Sequence, residues 1–418
     1  MMRGDAGSAD AREDRRRESA RLTRFVRQSG VYRACPDGHV NQYQLFVERS
    51  IRLLRHGGRM GLVVPWGLAS DQGSAALRRL LLERCRIDGF VGFDNAAAIF
   101  PIHRGVRFLV LSASTGLATE RVRARLGERD PDRLDPAPPD ARAQQPRPGN
   151  DVIVSPALLR RLAGDGLAFP WVRHCAELQL IERLVAAMPP LGHASGWAAG
   201  FGRELNATDD RARFSTDPGG LPVIEGKHVT PFQVRVQDAT RWVRSTENLP
   251  SRQLKQAVQR PRLAYRDVAS STNRTTLIAG MVPPGAVTVH TLFCLRTPLS
   301  DADQWFLCGA LNSLVANFLV RPWVTTHLGT STVERLPVPR PAPGDADRDR
   351  IVALARRLSS GGDADDARVE IEARVMRLYG LSARELPVIF ETFPLVARAH
   401  TDAIADRLDR LASGRGRV

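Results

Sequence analysis

The stretch Asn41–Ser112 decides the fold: NQYQLFVERSIRLLRHGGRMGLVVPWGLAS over 41–70, a Leu/Arg-rich segment, IDGFVGFDN over 87–95 and AIFPIHRGVRFLVLS over 98–112. Tyr43, Phe46, Val47, Ser50, Ile51 and Leu54 recur at helical spacing and predict one apolar stripe. Gly57-Gly58 is expected to stop that helix, because glycine enters the left-handed region without a Cβ clash. Gly61–Pro65 is a short unbroken apolar run, as expected of a strand covered on both faces. Ala75–Arg84 reads as a helix, and Ile87–Phe93 and Val106–Leu111 read as strands. Helix alternating with fully apolar strand predicts a parallel, doubly wound α/β sheet, of which only half is present.

Outward from this stretch, residues 1–30 are dominated by Arg, Asp and Glu and predict a disordered tail or a solvated helix, firmer from Arg21 to Gln28. Gly30–Gly38 is expected to be a loop. Residues 127–150, GERDPDRLDPAPPDARAQQPRPGN, carry almost nothing apolar and predict a flexible linker or a surface insertion. Asp151–Val154 follows as a short strand, Ser155-Pro156 opens a helix, and Ala176–Met188 is another. Strands are expected at Leu221–Ile224, Arg241–Val243, Leu263–Arg266, Thr276–Met281 and Thr288–Leu295, and one helix over Gln304–Val320. Residues 345–418 read as helical, with a capping box at Ser382–Glu385.

The 418 residues carry 60 Lys and Arg against 45 Asp and Glu, a formal charge of +15, with lysine only at Lys227 and Lys255. Codon usage can choose arginine over lysine, but it does not create the excess of cations. A polyanionic partner, most simply nucleic acid, is favoured, since each neutralised phosphate releases counterions. The five cysteines are scattered, without metal-ligand spacing, which argues against disulfides and zinc and for a cytoplasmic protein. No segment has the roughly 20 uninterrupted apolar residues of a membrane span, so no membrane partner is expected.

The run NQYQLFVERSIRLLRHGGRMGLVVPW, followed by IFPIHRGVRFLVL, resembles the C-terminal half of a TaqI-like N6-adenine DNA methyltransferase. More closely it resembles the large methylase proteins of type IIG restriction–modification and related phage-defence systems. GFGRELNATDDRARF (200–214), LPVIEGKHVTPF (221–232), RPRLAYRDVASSTNRTTLIAGMVPP (260–284), LNSLVANFLVR (311–321) and THLGTSTVERLPVP (326–339) resemble their specificity region. The likeness spans roughly residues 30–340, with YGLS in the tail a weaker match.

The resemblance implies an α/β fold: a partial Rossmann-like S-adenosylmethionine methyltransferase sheet, then an α+β target-recognition domain and a C-terminal helical segment. The expected division is 1–116 partial catalytic domain, 117–190 linker and helical connector, 191–344 recognition domain and 345–418 helical tail. Carried over by position, Phe46 matches an aromatic on the donor's adenine ring, and Asn41 lines the same side of that pocket together with Tyr43. Phe100 matches the aromatic that stacks on a flipped target base, since a base leaving the duplex loses a few kcal/mol of stacking. From spacing alone, a Phe100 that caps the core beneath it is the favoured reading.

Two family elements have no counterpart here. The glycine-rich cofactor loop is absent, and so is the catalytic tetrapeptide Asn/Asp/Ser-Pro-Pro-aromatic. Met188–Leu191 and Ala137–Asp140 have the wrong flanks, and Gly200-Phe201-Gly202 lacks a preceding apolar strand. The chain is therefore expected to begin after the catalytic motif and to use S-adenosylmethionine only with a complementing polypeptide that carries both elements.

Lys227, Arg260, Arg262, Arg266, Thr272, Asn273 and Arg274 are the candidates for contact with double-stranded DNA. Arginine addresses guanine bidentately or neutralises phosphate, and asparagine suits adenine edges. The competing reading is internal pairing, above all Arg266 with Asp267. His327 and its neighbouring threonines are a lesser DNA candidate, and Tyr265 and Trp323 are expected to pack. The function expected is a component of a site-specific adenine methyltransferase; the alternatives are a non-catalytic specificity subunit or a remnant of a disrupted gene.

Overall fold

Apolar residues at every third or fourth position, together with short β-branched runs, build two compact units, residues 1–178 and 179–418. The structure, a computed structural model, describes residues 6–34, 41–134, 151–362 and 365–414. Cys35, Ala137–Asp140 and parts of the expected loop at 30–38 and insertion at 127–150 lie outside the described residues.

In the first unit the arginine-rich start is a solvated helix, α1 (Ala6–Gln28), with Val26 buried and Leu22 and Phe25 exposed. The stripe of α2 (Gln42–Leu53) turns Gln44, Val47, Glu48 and Ile51 inward. It ends before the glycine pair: Leu54 is already extended, and Gly57, at φ +75°, turns the chain into β1 (Arg59–Pro65). The short α3 (Gly67–Ser70) and then α4 (Ala75–Arg84) lead into β2 (Cys85–Asp94). After it come β3 (Arg107–Thr115), β4 (Val122–Glu128) and β5 (Asp151–Val154). α5 (Pro156–Ala163) is capped by the Ser155 side chain, which accepts from Leu158 N–H, and α6 (Cys175–Ala187) runs across the division at 178.

These strands form one sheet in the order β1-β3-β2-β4-β5. The expected parallel sheet is corrected to a mixed one. β3 inserts between β1 and β2 and is antiparallel to both, so β1 and β2 run the same way. The physical reason is the connection. Helical α4 carries the chain over from β1 to β2, whereas β2 reaches β3 through a loop with no helix beyond a single turn at Asn95–Ala97, which returns the chain alongside. β4 was not foreseen; it pairs parallel with β2 and antiparallel with β5. The expected boundary at 116 therefore falls inside one sheet, and Gly127 and Glu128 of the expected 127–150 segment belong to β4.

Among the described residues β1 is an edge strand. Its expected cover on both faces is also corrected: Val64 is buried and Met60 and Leu62 are half-buried, while Arg59, Gly61, Val63 and Pro65 point to the open face. Val63 is 57% exposed, and a Cβ built on Gly61 would meet nothing within 4 Å. Across the same face Val63 aligns with Val110 and Val91, both only partly covered.

The second unit is built on two small sheets and a helical cluster. Its strands are β6 (Phe201–Gly202), β7 (Phe214–Ser215), β8 (Leu221–Ile224), β9 (Val229–Thr230), β10 (Gln233–Val234) and β11 (Trp242–Val243). After α7 (Arg252–Ala257) come β12 (Arg262–Arg266), β13 (Ala279–Val282), β14 (Val287–Thr288) and β15 (Leu292–Leu295). One sheet has the order β13-β12-β15-β6 and the other β14-β8-β11-β7; β9 and β10 form a separate hairpin. The expected strand at Thr288–Leu295 is thus two pieces, β14 and β15, in different sheets.

The expected helix over Gln304–Val320 is likewise two, α8 (Asp301–Leu311) and α9 (Leu314–Val320). Asn312 leaves the helix to bond Ala279 on β13 through its side chain, and the Ser313 side chain accepts from Ala316 N–H to start the second. α10 (Thr330–Val333), α11 (Ala346–Ser359), α12 (Asp365–Leu378), α13 (Leu386–Phe390) and α14 (Arg398–Ala412) complete the unit. α11 packs on α8 and α12, so the tail belongs to the same core. The Ser382–Glu385 box forms only the Ser382-to-Glu385 half, in the turn before α13.

Candidate functional site

Phe100 lies in the loop between β2 and β3, and one residue fixes that loop. Asn95, fully buried, accepts from Phe100 N–H at 2.9 Å and donates to the carbonyls of Phe100 at 3.1 Å and Ile102 at 3.3 Å. The Phe100 ring meets Phe108 edge-on at 4.9 Å, and Phe108 stacks on Phe93 at 5.0 Å. The ring is 38% exposed, so it both caps the core and presents an open surface.

Phe46 is 71% exposed on α2, off the buried stripe. Asn41 opens α2, its backbone N–H donating to Gln44 Oε1 at 3.1 Å. Gln44 and Tyr43 both reach Ser74, at 3.0 and 3.2 Å, which ties the start of α2 to that of α4. Burial raises the Tyr43 pKa. Among the described residues Phe46 and Phe100 share no ring contact.

An aromatic group that the sequence reading passed over lies beside this loop's strands. Trp66 meets Phe90 and Trp171 edge-on, Phe169 stacks on Phe90, and Arg107 sits 4.5 Å from the Trp171 ring. Burial lowers the Arg107 pKa to about 10. Trp66 and Phe90 lay inside the diagnosed stretch, but their partners Phe169 and Trp171 follow the insertion, and no periodicity links them to it.

The second unit separates the DNA candidates. Lys227 is exposed, 3.4 Å from Glu225, and Arg260 is exposed on the turn before β12. Thr272, Asn273 and Arg274 are exposed on one loop. That loop is braced from below: Asn317 Oδ1 accepts from Thr276 N–H at 2.6 Å and Leu277 N–H at 2.8 Å. The Arg321 guanidinium donates to the Asn273 carbonyl, to that of Arg274 at 3.0 Å and to Thr276 Oγ1 at 3.2 Å.

Arg262 requires a correction. It is 4% exposed and grips Glu204 at 2.5 and 2.8 Å, while Glu204 also accepts from Thr288 N–H and Oγ. Burial alone would raise the Glu204 pKa, but Arg262 and Thr288 outweigh it and hold the carboxyl below its usual range. This arginine is enclosed in the unit and has no face for DNA.

Arg266 is half-buried, its pKa lowered by burial, and the competing pair with Asp267 does not form among the described residues. Asp267 instead accepts from Arg203 at 3.1 Å, with His327 Nδ1 at 3.4 Å. Tyr265 packs fully buried between Phe201 and Phe293, as expected. Among the described residues no His/Cys/Asp/Glu group could hold a metal, and no helix is long and apolar enough to cross a membrane.

Residues 16–100 match the family model of the Eco57I restriction-modification methylase. Part of the first unit is Eco57I-methylase-like. Among solved structures the chain is similar to the type IIL restriction-modification enzyme MmeI in complex with DNA, at 10% identity and a TM-score of 0.48, over 86% of this chain and 52% of that one. It is also similar to the type IIG restriction endonuclease BpuSI, at 11% identity and a TM-score of 0.33, over 92% of this chain and 51% of that one. The chain thus spans about half the length of each. No curated protein matches it.

The residues present do not by themselves fit S-adenosylmethionine. Phe46 offers one largely exposed ring, the Asn41 N–H is taken by Gln44, and no glycine-rich turn follows an apolar strand. No methyl-transfer step is assigned to these residues alone.

Proposed function

We propose that this chain is a component of a site-specific DNA adenine-N6 methyltransferase of a restriction–modification or phage-defence system. In this reading Phe100 is the wall for a flipped adenine, Phe46 and Asn41 form one side of the donor pocket, and the second unit recognises the duplex. Lys227, Arg260, Arg266, Thr272, Asn273 and Arg274 are the proposed DNA contacts. The glycine-rich loop and catalytic tetrapeptide come from another segment, which we place on a complementing polypeptide.

The observation that carries this is the β1 edge. Within a stretch matching a restriction-modification methylase, an apolar strand has, among the described residues, one side unpaired and one face open at Gly61 and Val63. Exposed apolar edges invite pairing or aggregation, so a lone chain gains by being covered. A non-catalytic specificity subunit is the second reading, favoured by the braced loop at 272–274, which lies in a unit with its own core.

Calorimetric titration of S-adenosylmethionine tests the reading. Binding is expected only when the chain is mixed with the polypeptide carrying the catalytic tetrapeptide. Micromolar binding by the chain alone would show a complete pocket and end the proposal.

A further inference from the structure

A cavity of about 240 Å³ in the second unit shares only Arg274 with the residues proposed above for DNA contact. Its charged lining comes from three elements: Arg274 on the braced loop, Arg368 and Glu372 on α12, and His400 on α14. Phe232 and Val396 add apolar wall.

Three observations point to an anion. First, Arg368 Nε–H is buried without a hydrogen-bond partner, and among the described residues no carboxylate forms an ion pair with Arg274 or Arg368. A buried donor without an acceptor is costly, and a ligand oxygen relieves that cost. Second, the charges in the cavity sum to positive. Burial, then Arg274 and Arg368, lower the His400 pKa against the opposing pull of Asp365. Two guanidiniums outnumber the single carboxyl, that of Glu372, whose two oxygens accept from Leu314 N–H and whose pKa burial pushes up to about 8.

Third, the walls are set in advance. The backbone of Arg274 is held by Arg321, and Phe232 is fixed at φ +71°, a conformation that bulky residues adopt only when their surroundings impose it. A site already ordered loses little entropy on binding.

We propose that this cavity binds the phosphate of a nucleotide, free or within a polynucleotide, through the Arg274 and Arg368 guanidiniums, with Phe232 and Val396 flanking the sugar or base. Guanidinium forks match phosphate oxygens in pairs, and two of them facing one cavity supply donors for several oxygens at once. The inference rests on the second unit alone and is independent of methyl transfer.

The test uses the full chain and three probes: inorganic phosphate, deoxyadenosine monophosphate and a short DNA duplex. Calorimetry should show phosphate and mononucleotide binding that Arg274→Met and Arg368→Met each weaken by about tenfold or more, the effect of one charge-assisted contact. Arg274 is exposed, so its variant keeps the fold even if Arg368→Met does not. Phosphate should also shift the imidazole resonances of His400. If the duplex is the source of the phosphate, each variant also lowers the salt-dependence slope of duplex binding by about one. If a free nucleotide is the source, Arg368→Met leaves duplex binding unchanged while mononucleotide binding is lost. Absence of phosphate and mononucleotide binding by the wild-type chain, with duplex binding the same in Arg368→Met, overturns the proposal.

Discussion

Replacing Arg262 by methionine separates the two readings of this arginine. Its guanidinium makes two bonds to Glu204 and one to the Ala286 carbonyl at 2.8 Å, and both partners of the ion pair are nearly inaccessible. Methionine retains the apolar volume but strands the Glu204 charge, with only Thr288 left to solvate it. Breaking a buried pair by removing one partner costs about 3–5 kcal/mol. For a unit of this size that lowers the melting temperature by roughly 6–20 °C.

The pH dependence has a definite sign. Without Arg262 the folded-state pKa of Glu204 rises above its unfolded value. The added instability is then full above the new folded pKa and fades as pH falls toward the unfolded pKa of about 4.3. Glu204→Gln added to Arg262→Met should recover much of the loss, because no charge is left buried. Urea melts of the wild type, both single variants and the double variant at pH 5 and pH 8 measure this. A loss below about 1 kcal/mol with a large fall in duplex affinity would refute the reasoning and return Arg262 to the DNA interface.

Further outcomes follow from the same contacts. Glu372→Gln should remove a fall in stability between about pH 4.5 and 8, since the wild-type group binds more protons folded than unfolded in that window; urea melts would show a slope of up to about 1.4 kcal/mol per pH unit in the wild type alone. Asn95→Ala strips three partners from the Phe100 loop and should cost about 2–3 kcal/mol, with faster hydrogen exchange at residues 96–103. Phe100→Ala should change stability by less than about 1.5 kcal/mol, because the ring is part-exposed, while the complemented assembly loses at least about tenfold in methyl transfer to a duplex adenine.

Local pattern made much of the first unit legible. α4 and β5 have the expected bounds, β1 lies where an unbroken apolar run placed it, and β2 extends the expected Ile87–Phe93 at both ends. What pattern does not carry is pairing. An apolar run reads the same whether its strand is central or at an edge, so Gly61–Pro65 predicted two covers where the structure has one. Strand direction likewise followed from the connection and not from the strands.

In the second unit, side chains decided what propensity could not. Ser313 divides an apolar helix, and Glu204, distant in sequence, claims Arg262. The arginines expected to touch DNA are identical in type, and only burial separates Arg262 from Arg260 and Arg274. Strand pattern placed Phe100 in a loop between two strands but did not reveal its clamp, since nothing in the spacing of Asn95 distinguishes it from a surface asparagine.

The most direct test of the central claim is backbone hydrogen exchange across Arg59–Pro65, in the lone chain and in a mixture with the polypeptide carrying the catalytic tetrapeptide. In the lone chain the β1 amides not bonded to β3 should exchange far faster than those of β3, which is paired on both sides. The mixture should slow them to the β3 level. Equal protection of β1 with and without the second polypeptide would contradict the account.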